Sequence, residues 1–364
     1  MSWRLLSIWP LSINAGSRKL RVGEKLRSMD DTADELGASP KWFPHELDLA
    51  QDRVSFIRLR ETDYEQASFL DARIVTAASI KKSLRWPQVE AAISAAQLTE
   101  RCGFIFHIGH VGSTLLSRLV GTHPAAFSVR EPMALRTLAQ LVPVPEPPLA
   151  GCLKLLSRTF EPRQLAVIKA TSFVSELASS LVSRAAAPKA VMMFVSAESY
   201  FATILGGPNS RQEARMMAAS RLERLHRRLG QPAWQLASLS EGEVLGVSWA
   251  SEMAALAQAT KAAADRALRV DFDQFIGSPT SALTAVLRHF DLDGSSDTVA
   301  TILAGPDLRR YSKAPEHPYD AQLRRDVLDR ARALHGVEIG RGLAWLDRAA
   351  AQFAVIRDAR RLAG

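Results

Sequence analysis

The sequence predicts an α/β protein in three layers, a parallel sheet flanked by helices and extended by helical insertions. Two observations predict it. Four short apolar runs, CGFIFHIG (102–109), LAVIKAT (165–171), AVMMFVS (190–196) and ALRVDF (267–272), show no polar alternation, as expected of strands buried on both faces. Each is followed by a stretch with helical spacing, and strands alternating with helices build a parallel sheet. The composition agrees. The chain has 364 residues, 47% hydrophobic and 23% charged, which suffices for a large core and excludes wholesale disorder. Its longest apolar runs, such as AVMMFV (190–195), are far shorter than the roughly 20 residues of a membrane span.

Taken in order, residues 1–28 begin MSWRLLSIWP, a short apolar stretch broken by Pro10 and followed by Arg18, Lys19 and Arg21. This reads as an extension outside the fold rather than a cleaved signal, or as a misplaced start with Met29 the true beginning. Residues 29–101 form a lead-in segment, in which RVSFIRLR (53–60) alternates like a strand and VEAAISAAQLTE (89–100) has helical spacing. Residues 102–364 read as a single α/β domain with a helical C-terminal part, since no linker divides them and no repeat is visible. Within it, helices are expected from about Ser113 and Ser278. PVPEPP (143–148) reads as an extended loop because proline removes donors and fixes φ. Residues 209–264 read as a helical insertion whose arginines (Arg211, Arg215, Arg221, Arg224, Arg227, Arg228) are expected to face solvent.

Two cysteines, Cys102 and Cys152, cannot build a disulfide framework and point to a reducing, cytoplasmic setting. The net charge is +8, and of 46 basic residues only ten are lysine. Arginine suits phosphate and sulfate. An Arg- and Ala-rich composition also follows from GC-rich coding, so no nucleic-acid partner is inferred.

The most informative stretch is FIFHIGHVGSTLLSRLV (104–120). A buried strand runs into Gly109-His110-Val111-Gly112-Ser113-Thr114 and directly into a helix. Such a turn aims backbone N–H groups and the positive helix end at one point, which suits a phosphate. Gly109 and Gly112 let the backbone wrap closely, and Ser113 and Thr114 add hydroxyls. A side chain at Gly112 is expected to block the anion and leave the fold intact. The same residues fit an ordinary helix start, with Ser113 or Thr114 as a cap. The turn is not a Walker A motif, because only two residues separate its glycines and Ser113 stands where the phosphate-gripping lysine belongs.

HVGSTLLSRLVGTHP (110–124) resembles the 5′-phosphosulfate loop of the sulfotransferase superfamily. Gly112, Ser113 and Thr114 match that loop, and the family's Arg or Lys falls on His110. Three later segments resemble the family in order and spacing: THPAAFSVREP (122–132), LAVIKAT, and VDFDQFIGSPTSALTAVLRHFDL (270–292). Together they cover about residues 102–315. The resemblance implies a P-loop-type fold and, as co-substrate, 3′-phosphoadenosine 5′-phosphosulfate, whose 5′-phosphate the turn would hold. It implies that Glu131 deprotonates an acceptor hydroxyl or amine and that Lys169 lies by the transferring sulfonyl group. For the 3′-phosphate, Ser196 stands where the family has a strand-end Arg, and Thr203 or Ile204 falls near its helix Ser. Arg211 or Arg215 could reach in instead. RRYSKAP (309–315) resembles a late basic loop, with Ser312 and Lys313.

Read without the family, these residues have plainer explanations. Glu131 before Pro132 can complement a helix start, whereas a lysine ending a buried strand, as Lys169 does, is rarely structural unless paired. His107 and His110 suit hydrogen bonds better than metal, and no metal is expected. Asp271 suits a cap, and Trp234 and Trp249 suit packing. The expected activity is sulfuryl transfer. A P-loop protein binding another nucleotide, such as a kinase, and a non-catalytic binding module are the alternatives. The acceptor is expected to meet loops in 143–160 and 205–245.

Overall fold

The computed structural model describes residues 35–37, 39–311 and 314–364. The extension over 1–28, and the site candidates Ser312 and Lys313, lie outside the described residues.

The lead-in carries three antiparallel strands, β1 (Trp42–Asp48), β2 (Arg53–Arg58) and β3 (Lys81–Arg85), in the order β1-β2-β3. Helix α1 (Glu61–Gln66) follows β2, and α2 (Trp86–Ala95) follows β3. β2 and α2 are the strand and helix legible in the sequence. Pro87 sits in the first turn of α2, where a missing N–H costs nothing. β1 was hidden by Pro44, which an edge strand tolerates; the register shifts between Pro44 and Glu46.

The core sheet has five parallel strands: β4 (Cys102–His107), β5 (Ala126–Arg130), β6 (Leu165–Lys169), β7 (Ala190–Phe194) and β8 (Ala267–Asp271). Their order is β5-β6-β4-β7-β8. Helices α3 (Ser113–Gly121), α4 (Met133–Leu138), α5 (Glu146–Leu156), α6 (Ala178–Val182) and α7 (Ala197–Leu205) occupy the connections. Phe104, Ile105, Val167, Ile168, Val191 and Met192 are all at or below 1% exposure, which is why their runs show no alternation. From β4 the chain moves to the far edge at β5, returns through β6, and then crosses to β7. The strand order therefore reverses beside β4, the place where open α/β sheets bind ligands.

Helices α8 (Pro208–Leu229) and α9 (Glu241–Ala263) form the insertion. After β8 come α10 (Phe272–Gly277), α11 (Pro279–His289) and α12 (Ser296–Ala304). A small hairpin, β9 (Arg310–Tyr311) and β10 (Ala314–Pro318), leads to α13 (Ala321–Gln352) and α14 (Ala354–Ala363).

Four local expectations are corrected. Residues 143–148 are not extended throughout, because α5 begins at Glu146 with proline in its first turn. Behind β6 a 3₁₀ turn, Ser172–Leu177, precedes the short α6. The helix expected from Ser278 is preceded by α10, whose N-cap Asp271 accepts from the Asp273 and Gln274 amides. The arginine face of α8 is not solvated throughout. Arg221 and Arg224 are buried because α9 is covered on nearly every side and carries Glu252 into the contact. A buried carboxylate requires cations; Arg221 Nε and Arg224 Nη2 each lie 3.1 Å from Glu252 Oε1. Trp249 packs in the core and donates to the Val195 carbonyl at 3.1 Å. Trp234 packs against Trp345 and Phe353.

Candidate active site

The turn after β4 is built from left-handed backbone. Gly109, His110 and Gly112 have φ of 84°, 56° and 64°. The Gly109 amide donates to His107 Nδ1 at 3.0 Å, tying the turn back to its strand. Helix α3 has Gly112 as N-cap, and no side chain caps it. Ser113 and Thr114 are buried, and Thr114 Oγ1 has no hydrogen-bond partner among the described residues. A hydroxyl cap therefore does not account for these residues. The first amides of a helix have no intrahelical acceptor and carry its positive end.

One expectation about Gly112 changes. A Cβ there would come within 2.0 Å of the Phe272 ring, so glycine is demanded by internal packing as well as by φ. A larger residue would disturb the fold and not only block a ligand.

The turn opens on a cavity of about 530 Å³. Gly109, His110, Gly112, Ser113, Thr114, Glu131 and Thr203 all line it. Thr203 donates to the Ser199 carbonyl at 2.7 Å. His110 faces α8, with Nδ1 3.5 Å from Ser210 Oγ and Nε2 3.6 Å from Glu213. Two candidates are placed elsewhere. Ser196 caps α7, accepting from the Ser199 amide at 3.2 Å. Arg211 is held by Glu241 through Nε at 3.1 Å and Nη2 at 2.5 Å, and Arg215 joins the same carboxylate at 2.9 Å. The Arg211 hydrogen bonds keep the Glu241 carboxyl below its ordinary range.

Glu131 and Lys169 meet. Lys169 ends β6, fully buried, and its ammonium donates to Glu131 Oε1. Glu131 follows β5 with φ 52°. Its amide donates to the Lys169 carbonyl at 2.7 Å, and Thr171 Oγ1 lies 3.4 Å from Oε2. Two charges taken this far from water hold their ionised forms only as a pair.

Sequence reasoning missed three residues that line the turn cavity. Phe69 lies with its ring centroid 5.5 Å from Lys169 Nζ, and the Arg73 guanidinium covers the same ring at 3.5 Å. Both residues line the turn cavity and also a second, wider cleft of about 1170 Å³, formed mainly by residues 41–80. The cleft thus belongs to the lead-in. Of the loops expected to meet an acceptor, only Phe160 lines it. Two arginines, the buried Arg130 and the half-buried Arg118, fix this wall. Arg130 donates through Nε to the Ala67 carbonyl at 2.7 Å and through Nη2 to Glu65 at 3.0 Å and to Tyr64. Arg118 reaches Gln66 and Ser68 at 3.2 and 3.0 Å. Burial, with Arg118 nearby, pulls the Arg130 guanidinium down to about 9. Burial would raise the Asp71 carboxyl, but Arg73 and Arg136 outweigh it and hold it low. The third missed residue is Arg324 of α13, which lines the turn cavity. Phe69 and Arg73 stand in no periodic or motif-bearing stretch, and Arg324 shares the buried face of α13 with Leu328 and Ala331, where an arginine carries no sign of what it meets.

Among the described residues, no cluster of three or more His, Cys, Asp or Glu side chains could hold a metal. No described helix is long and apolar enough to cross a membrane. No family model matches the chain, and no curated protein matches it. Solved structures do. The sulfotransferase domain from the curacin biosynthetic pathway is 13% identical with a TM-score of 0.39, covering 65% of this chain and 99% of that one. A sulfotransferase from Alicyclobacillus acidocaldarius is 12% identical with a TM-score of 0.32, covering 67% of this chain and 95% of its own. The sulfotransferase domain of the Synechococcus PCC 7002 olefin synthase is 15% identical with a TM-score of 0.36, covering 65% and 95%. At these identities and TM-scores neither an activity nor a family is carried over to this chain.

Proposed function

We propose that this chain is a transferase moving a sulfuryl group from 3′-phosphoadenosine 5′-phosphosulfate to a hydroxyl or amine. One observation carries the reading. The uncapped start of α3, with the buried Thr114 hydroxyl left over, opens on the same cavity as Glu131, and Glu131 is paired with Lys169. The amides of Gly112, Ser113 and Thr114 hold the donor's 5′-phosphate. The absence of a Walker lysine argues against nucleoside triphosphates as the natural ligand.

In the resting protein Glu131 and Lys169 neutralise each other. Turnover requires them to exchange partners. Lys169 donates to the oxygens of the transferring group and the bridging oxygen, where charge develops. Glu131 accepts the proton of the acceptor hydroxyl. A bond forms between the acceptor oxygen and sulfur, the sulfur–oxygen bond to the donor phosphate breaks, and 3′,5′-diphosphoadenosine leaves. The acceptor approaches from the 41–80 cleft, past Phe69 and Arg73.

The test is thermal unfolding, once with chelator and once with Mg²⁺, comparing 3′,5′-diphosphoadenosine, ATP and GTP. A ligand that binds only the folded state raises the midpoint. The diphosphoadenosine is expected to give the largest rise. A larger, Mg²⁺-dependent rise with ATP or GTP contradicts the reading.

A further inference from the structure

We propose that Arg324, outside every motif read in the sequence, is the cation that receives the donor's 3′-phosphate. This rests on the reading of the turn cavity as a nucleotide donor site.

The need comes first. A second phosphate on the ligand requires a cation, and the segments expected to supply one do not. Ser196 replaces an arginine and is engaged as the cap of α7. Arg211 and Arg215 are both held by Glu241.

Arg324 meets the need. It is 6% exposed and lines the cavity. Asp273 fixes one edge of its guanidinium, with Nε 2.5 Å from Oδ1, and the group lies over the Phe272 ring, 4.8 Å from its centroid. The Tyr319 side chain also interacts with the group, yet Nη2 is buried with no hydrogen-bond partner among the described residues. An unsatisfied buried guanidinium nitrogen is costly unless a ligand completes it. The same Phe272 ring abuts Gly112, so the guanidinium lies one ring away from the turn. The cavity therefore holds two buried leftover donors, Thr114 Oγ1 at the turn and Arg324 Nη2 at the start of α13. Val111, Leu323 and Leu328 supply apolar lining. Two anion sites with apolar surface alongside match a nucleoside phosphorylated at both ends. Asp273 is a positioning residue that orients the guanidinium.

The experiment is calorimetric titration of wild type, Arg324→Met and Arg324→Lys with 3′,5′-diphosphoadenosine and with 5′-AMP. Losing a charge-assisted contact is expected to weaken the diphosphate by about 10–100-fold in Arg324→Met, with 5′-AMP unchanged. Arg324→Lys keeps a point charge without the planar fork, so its loss is selective in the same sense and smaller. It also carries the test if Arg324→Met does not fold. Equal losses for both ligands, or no loss for either, in variants of a wild type that prefers the diphosphate overturn the role of Arg324 and leave the donor reading standing. A wild type that shows no preference for the 3′-phosphorylated ligand overturns the donor reading, and the role of Arg324 with it.

Discussion

The α8–α9 contact and the turn after β4 both bury polar groups, and they differ in what is left over. Between the helices each buried guanidinium finds a carboxylate: Arg221 and Arg224 meet Glu252, and Arg224 and Arg228 meet Glu176 at 3.2 and 2.7 Å. Burial works against the charge of Arg221, but Tyr200 and Glu252 more than restore it. The groups without partners there, Glu252 Oε2 and the Tyr200 hydroxyl, line neither cavity described above. At the turn the leftover groups are donors, and they line a cavity. On the proposed reading, the difference separates a cluster that serves the fold from one that receives an anion. It also shows why an arginine-rich segment alone indicates no binding site.

The largest expected effect sharpens this contrast at the Glu131–Lys169 pair. Glu131→Gln keeps shape and hydrogen bonding but loses basicity, so turnover should fall by about 10²–10⁴-fold with nucleotide affinity little changed. It also leaves the Lys169 charge buried without a counterion, so the variant should be less stable. The double variant Glu131→Gln with Lys169→Met should recover stability and no turnover. Steady-state rates and denaturant melts read the two effects separately. Full activity in Glu131→Gln, once an acceptor is in hand, removes the base.

The next effect is one of stability alone. Glu252→Ala strands Arg221 in the interior, and breaking a buried pair costs about 3–5 kcal/mol. Arg224 keeps Glu176, so the loss falls mainly on Arg221; denaturant unfolding should show it, while the folded fraction binds diphosphoadenosine with wild-type affinity. A selective loss of nucleotide affinity would break the contrast, because it would place the helix cluster in the site.

Much of the core was legible, for physical reasons. Strands buried on both faces must be continuously apolar, so β4, β6, β7 and β8 stood out. The glycines at 109 and 112 marked left-handed backbone, and Lys169 at the end of such a strand demanded a partner, which Glu131 supplies. The rest depended on long-range contact. Phe69 and Arg73 sit in an irregular segment whose place is set by Arg118 and Arg130 donating to its backbone and to Ser68. Arg324 enters the cavity because α13 packs back near Phe272, and nothing local to residue 324 says so. Arg211 misled because its charge was visible in the sequence and its carboxylate, Glu241, lies 30 residues on.

The central claim is that the turn amides themselves hold a nucleotide phosphate. Amide NMR of protein labelled with ¹⁵N-glycine tests it most directly, with 3′,5′-diphosphoadenosine titrated in the presence of chelator. Gly109 and Gly112 should shift saturably with the diphosphate and not with adenosine, while a distant glycine such as Gly230, at the C-terminal end of α8, stays in place. Saturable binding that leaves Gly109 and Gly112 unmoved, or no binding at all, would contradict the account.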